Sequence, residues 1–184
     1  MQTEEIRQAL VLVDQTSQKV RRALLRDSFA PFAILWGAIW IVGFSTSALF
    51  PAVAGILWIA LDIVGLVASI IIGNQYSGRV LSPNGLRLFW SWIALAGYAG
   101  LVLFVARPLP PLRSSMLLVI IIMAGYVIQG IWLWRGQLIV GLAITAVTLL
   151  GGWLLPDYYL WLMALLGGGT LLGTGLYLWI AYRP

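Results

Sequence analysis

Apolar runs of about 20 residues, separated by short polar or proline-bearing breaks, fill the sequence from residue 29 onwards. A run of that length matches the hydrocarbon core of a bilayer when coiled as an α-helix. The pattern predicts six spans, at about residues 31–50, 52–73, 88–106, 115–134, 138–155 and 158–182. Ahead of them, Ile6, Leu10, Val13, Ser17, Val20 and Leu24 recur at alternating spacings of 4 and 3, a heptad seam with one polar interruption. This predicts a helix over residues 4–27, with Thr3 able to cap its start. Glu4 and Glu5 in its first turn, and Arg21, Arg22 and Arg26 near its end, suit the helix dipole. The expected fold is all-α: a cytoplasmic amphipathic helix in residues 1–28, then a bundle of six transmembrane helices in residues 29–184.

The N-terminal helix has two readings. It lies on the membrane or under the bundle, or it pairs through residues 4–27 with a second copy or a partner protein. It does not read as a signal peptide, because its charged part is too long and more spans follow. Pro31 suits a first helical turn. Pro51 leaves room only for a tight turn, so spans 1 and 2 should form an antiparallel hairpin. The longest loop is residues 74–87, where Ser-Pro-Asn-Gly signals a turn. Pro108, Pro110 and Pro111 stiffen the loop before span 4.

Basic residues set the orientation. With the N-terminus inside, Arg7, Lys19, Arg21, Arg22, Arg26, Arg79, Arg87, Arg135 and Arg183 are cytoplasmic, and only Arg107 and Arg113 are outside. Trp90, Trp92, Trp132, Trp134 and Trp179 then fall near the inner interface and Trp153 and Trp161 near the outer one, as aromatic belts do.

Span 2 carries the most distinctive pattern. Gly55, Trp58, Asp62, Gly65, Ser69 and Gly73 follow one another at spacings of 3, 4, 3, 4 and 4. They therefore share one helical face, and the rest of the span is Ile, Leu, Val and Ala. An ionisable side chain at mid-bilayer costs about 2.5–3.5 kcal/mol on insertion scales. No Lys or Arg lies inside a span to offset this for Asp62. Asp62 should therefore be protonated, hydrogen-bonded or neutralised by a cation. Tyr98, Thr148, Thr170 and Thr174 lie at similar depth, and Trp58 is one turn away with a ring that can face a cation. The candidate intramembrane site is Asp62, Trp58, Tyr98 and Thr148. Its alternatives are a structural hydrogen bond from Asp62 to a hydroxyl, tolerance of the acid on a lipid-facing surface, and a contact with a partner subunit.

Gly141, Thr145, Thr148 and Gly152 give span 5 a comparable small, polar face, expected to meet that of span 2 in the interior. Gly125, Gln129 and Trp132 make a stripe on span 4, with Gln129 read as packing glue. The glycine-rich residues 167–175 lack the Lys-Ser/Thr end of a phosphate loop. Gly169 and Gly173 read instead as a close-packing pair. The halves can also be aligned, residues 34–44 on 121–131 and 55–65 on 141–151, which lays Asp62 on Thr148. Three spans per half would make this a 3+3 inverted repeat, a pattern found in transporter folds.

Composition narrows the chemistry. The chain is 61% hydrophobic and 9% charged, where soluble domains carry about 25% charged residues. It contains no Cys and no His, so the commonest metal ligands and the commonest general base are missing. Asp157 lies in an outer turn, far from Asp62, so paired-carboxylate catalysis has no partner residue. No catalytic, cofactor-binding or metal-ligating set is expected, and the net charge of +5 sits at span ends and implies no nucleic acid.

The segments EEIRQALVLVDQTSQKVRRAL and LWGAIWIVGF resemble a loose group of uncharacterised small bacterial membrane proteins. The resemblance covers about 40 residues and implies a bacterial inner membrane without any activity. Six spans in 20.2 kDa is also similar to vitamin-binding subunits of energy-coupling-factor transporters, but those use a long first external loop where this chain has only Pro51. Two functions remain: a transporter-like or ligand-binding bundle centred on Asp62, or a non-transporting membrane partner or regulator acting through its N-terminal helix.

Overall fold

The computed structural model describes residues 7, 10–14, 16, 25–77 and 83–182. All the long elements are helices: α1 Ala30–Leu49, α2 Pro51–Ser77, α3 Pro83–Val105, α4 Pro111–Trp132 and α5 Arg135–Leu154, then the short α6 Tyr159–Leu162 and α7 Gly169–Ala181. A π-helical turn, Leu25–Phe29, runs directly into α1. A second one, Met163–Gly168, joins α6 to α7. Six stretches are long and apolar enough to cross a membrane: Leu25–Leu49, Pro51–Gln75, Arg87–Val105, Pro111–Trp132, Arg135–Leu154 and Pro156–Ala181. They are spans 1 to 6 below, and the all-α membrane bundle expected from the sequence is the fold.

The ends of the spans shift for identifiable reasons. Span 1 begins at Leu25, because the wide turn Leu25–Phe29 continues the helix upstream of Pro31. Span 4 begins at Pro111, which occupies the first helical turn, where a missing N–H costs nothing. Pro83 likewise opens α3, so Pro83, Asn84 and Gly85 of the expected turn are helical. Of the N-terminal seam, Ile6, Ser17, Val20 and Leu24 lie outside the described residues. Residues 10–14 are helical, with Leu10, Val11, Leu12 and Val13 all exposed.

The spans pack in the spatial order 2-1-6-5-4-3, and among the described residues no packed face joins spans 2 and 3. In spans 2 and 3 only 6% of the apolar stretch is buried, against 33–39% in the other four. The core therefore sits among spans 1, 4, 5 and 6, around Trp40, Phe44, Met123, Ile144, Tyr159 and Met163. Phe29 reaches in from the start of span 1 to meet Tyr126 and Trp134 edge-on, at 6.3 and 5.5 Å. Span 2 is appended to span 1 and span 3 to span 4. Their bare apolar faces carry no penalty in lipid, whose tails are as apolar as leucine.

Without a hydrophobic drive between helices in a bilayer, close backbone approach does the work of association. Spans 1 and 6 supply it through Gly37, Gly168 and Gly175. A Cβ on Gly168 would stand 2.9 Å from Ile41 N, and one on Gly175 2.8 Å from Ile34 N. The pair expected from the sequence, Gly169 and Gly173, faces open space instead. In a run of three glycines and a fourth nearby, register decides which ones pack, and the wide turn at Met163–Gly168 sets that register.

Candidate functional site

The special face of span 2 is used, but against span 1. Trp58 Nε1 donates to Ser47 Oγ at 2.9 Å, and Ser47 Oγ donates to the Gly43 carbonyl at 2.7 Å. The indole lies over Gly43, where an added Cβ would come within 2.6 Å of the ring, and meets Phe44 edge-on at 5.0 Å. One helical repeat further, Trp36 and Ile39 fill the notch at Gly65, and Trp36 Nε1 donates to Ser69 Oγ at 3.2 Å. The two tryptophans thus clasp the hairpin from opposite helices, each bonding a serine of the other. Gly55 and Gly73, at the ends of the stripe, face open space.

Asp62 stands between Trp58 and Gly65 on the border of this clasp. It is exposed, and it makes no hydrogen bond or ion pair with any described residue. Its expected partners are elsewhere. Thr148 is fully buried in span 5, where its hydroxyl donates to the Ile144 carbonyl at 2.8 Å and lies 3.5 Å from Met163 Sδ. Tyr98 is 69% exposed on span 3, which packs on span 4. The structure therefore brings together Asp62 and Trp58 alone of the four candidates, and the faces of spans 2 and 5 do not meet. A threonine hydroxyl can bond the carbonyl one turn back in its own helix, and Thr148 and Thr145 both do so. That self-sufficiency removes the need for a carboxylate partner. The alignment of Asp62 with Thr148 thus joins one exposed position to one sealed position.

Among the described residues every buried side-chain nitrogen and oxygen has a hydrogen-bond partner. Gln137, 4% exposed, donates to Gln129 at 2.9 Å across the hairpin of spans 4 and 5, so Gln129 does act as packing glue. Sequence reasoning missed Gln137 because it placed the residue in the turn before span 5. At the same end of the bundle, Arg26 Nε donates to Asp27 Oδ1 at 2.8 Å and its Nη1 to the Tyr182 carbonyl at 3.4 Å. Its guanidinium lies 6.0 Å over the Trp179 ring. This clamp fixes the start of span 1 to the end of span 6. Among the described residues no group of three or more acidic, His or Cys side chains is placed to hold a metal ion. No family model, curated protein or solved structure matches the chain.

Proposed function

We propose that this chain is a multi-pass protein of a bacterial inner membrane, a small transporter-like or ligand-binding bundle in which Asp62 takes up and releases a proton or a cation. The observation that carries the reading is the Asp62 side chain itself. It is exposed at the middle of an apolar span, and no described residue meets its charge. Intramembrane carboxyls that are not part of a structural pair mark proton and ion pathways. A structural hydrogen bond loses its support, since Tyr98 and Thr148 are both engaged or placed elsewhere. The neutralising partner then comes from outside the chain, as a proton or as a bound cation. Both termini are assigned to the cytoplasm on the nine-to-two division of basic residues.

A hydrophobic carbodiimide tests this. Such reagents partition into the bilayer and add to a protonated carboxyl. Asp62 should be the modified residue in intact membranes, read by peptide mass spectrometry, and raising the pH or adding the coupled cation should protect it. An unmodified Asp62 at every pH and salt would overturn the reading.

The second reading, a membrane partner or regulator, rests on Leu10, Val11, Leu12 and Val13, four consecutive exposed apolar residues in a helical stretch. Deleting residues 1–24 should then release a co-purifying protein while spans 1 to 6 keep their unfolding transition. Retention of every partner by the shortened chain would remove this alternative.

A further inference from the structure

We infer that the species exchanged at Asp62 is a proton and not a metal or organic cation, an inference that rests on the reading of Asp62 given above. The oxygen donors around the carboxyl decide between them. Asp62 lies opposite the stretch of span 1 between Trp36 and Gly43, because Trp58 covers Gly43 and Trp36 fills the notch at Gly65. Span 1 carries no side-chain oxygen from residue 30 to residue 44. In span 2, Asp62 is the only side chain with an oxygen from residue 51 to residue 68. The nearest serines beyond these limits that face the hairpin are held in the clasp. Ser47 Oγ donates to the Gly43 carbonyl and accepts from Trp58 Nε1, and Ser69 Oγ accepts from Trp36 Nε1.

Backbone oxygen is no better supplied. Spans 1 and 2 are α-helical through Ala30–Leu49 and Pro51–Ser77, so the carbonyls beside Asp62 bond amides one turn on. The π-helical turns lie at the start of span 1 and in span 6. Span 2 therefore has no unwound carbonyls of the kind that coordinate Na⁺ in transporters. Mg²⁺ and Ca²⁺ take about six or more oxygen ligands, and a bilayer centre holds no water to complete such a shell. An organic cation is held by an aromatic face. The only ring within one turn of Asp62 on its own helix is Trp58, which is packed on Gly43 and edge-on to Phe44 at 5.0 Å. A proton needs none of these donors. It forms one O–H bond with the carboxylate, cancels the charge, and returns to water by the reverse step. The neutral acid is also the form that an apolar surrounding tolerates at least cost.

The test measures the rate of carbodiimide modification at Asp62, by peptide mass spectrometry, for the full chain in lipid vesicles. In N-methylglucamine buffers the rate should fall about tenfold per pH unit above its midpoint, as the protonated fraction of a single carboxyl does. Replacing that buffer cation with Na⁺, K⁺, Mg²⁺ or Ca²⁺ at fixed pH and equal ionic strength should change the rate by less than about twofold, since screening is then the same. Adding tetraphenylphosphonium at fixed pH should also leave it unchanged. Protection by any one of these cations would overturn the proton and leave Asp62 as an ion site. An Asp62 that is never modified, or that is modified equally at every pH and salt, would overturn both the proton and the reading it rests on.

Discussion

Asp62→Leu is expected to ease membrane insertion of span 2 by about 3–4 kcal/mol, to leave the packed bundle as stable as before, and to abolish proton or cation handling. The first figure is the difference between aspartate and leucine at a helix centre on insertion scales. It applies in full because Asp62 is exposed and bonds no described residue, so nothing in the fold offsets its cost. The second expectation follows from the same geometry. Once the spans are inserted, Asp62 faces the surroundings whether spans 1 and 2 are clasped or apart. Its replacement therefore leaves their association unchanged, because the Trp58–Ser47 and Trp36–Ser69 bonds lie beside it and do not include it. Insertion is measured by glycosylation mapping of the span, and stability by denaturant titration in bicelles. A structural Asp62 gives the opposite result: an interhelical hydrogen bond in a membrane is worth about 0.6–1.7 kcal/mol, and the leucine variant would lose that much. A costly acid that stabilises nothing is what the proposed proton or cation site requires, in keeping with the trade-off between stability and activity.

Residue pattern alone carried the number of spans, their hairpin connections and the helical face of span 2, because each depends on local periodicity. The identity of the neighbour did not follow. In a soluble helix the apolar face points to the core, but spans that are apolar all round give no such direction. Small and polar stripes then mark where a helix packs without saying on what. The stripe of span 2 was expected on span 5 and meets span 1, because Trp36 and Trp58 each need a partner for an indole N–H and the serines that supply it are Ser69 and Ser47. Thr148 was expected beside Asp62 and bonds its own helix. Gln137 was taken for a turn residue and is buried in a bond across the hairpin. In each case the missing information was a hydrogen-bond partner distant in sequence or hidden in the backbone.

The glycines of spans 1 and 6 give the sharpest contrast for experiment. Gly37→Ala is expected to destabilise the bundle by about 1–3 kcal/mol, the usual range for overpacking, whereas Gly173→Ala is expected to be neutral or mildly stabilising. A Cβ on Gly37 runs into Leu172 N and stands 2.8 Å from Leu172 Cα and 2.9 Å from the Gly168 carbonyl oxygen. These obstacles are backbone atoms, so no rotamer change relieves them and the two helices must separate. Separation would also loosen Ala30 and Ala33, which are almost fully buried in the core. A Cβ on Gly173 meets nothing within 4 Å, and alanine is the better helix former by about 1 kcal/mol in water. Gly168→Ala should resemble Gly37→Ala, since its Cβ would stand 3.0 Å from the Gly37 carbonyl oxygen. The double variant should cost less than the two singles together, because one separation of spans 1 and 6 relieves both clashes. Denaturant titration of the four proteins in bicelles reads all of this. If Gly37→Ala and Gly173→Ala unfold alike, the spans do not meet at the register described. If Gly173→Ala alone is damaging, the opposite face of span 6 is the packed one, and the sequence-based choice of Gly169 and Gly173 was the right pair.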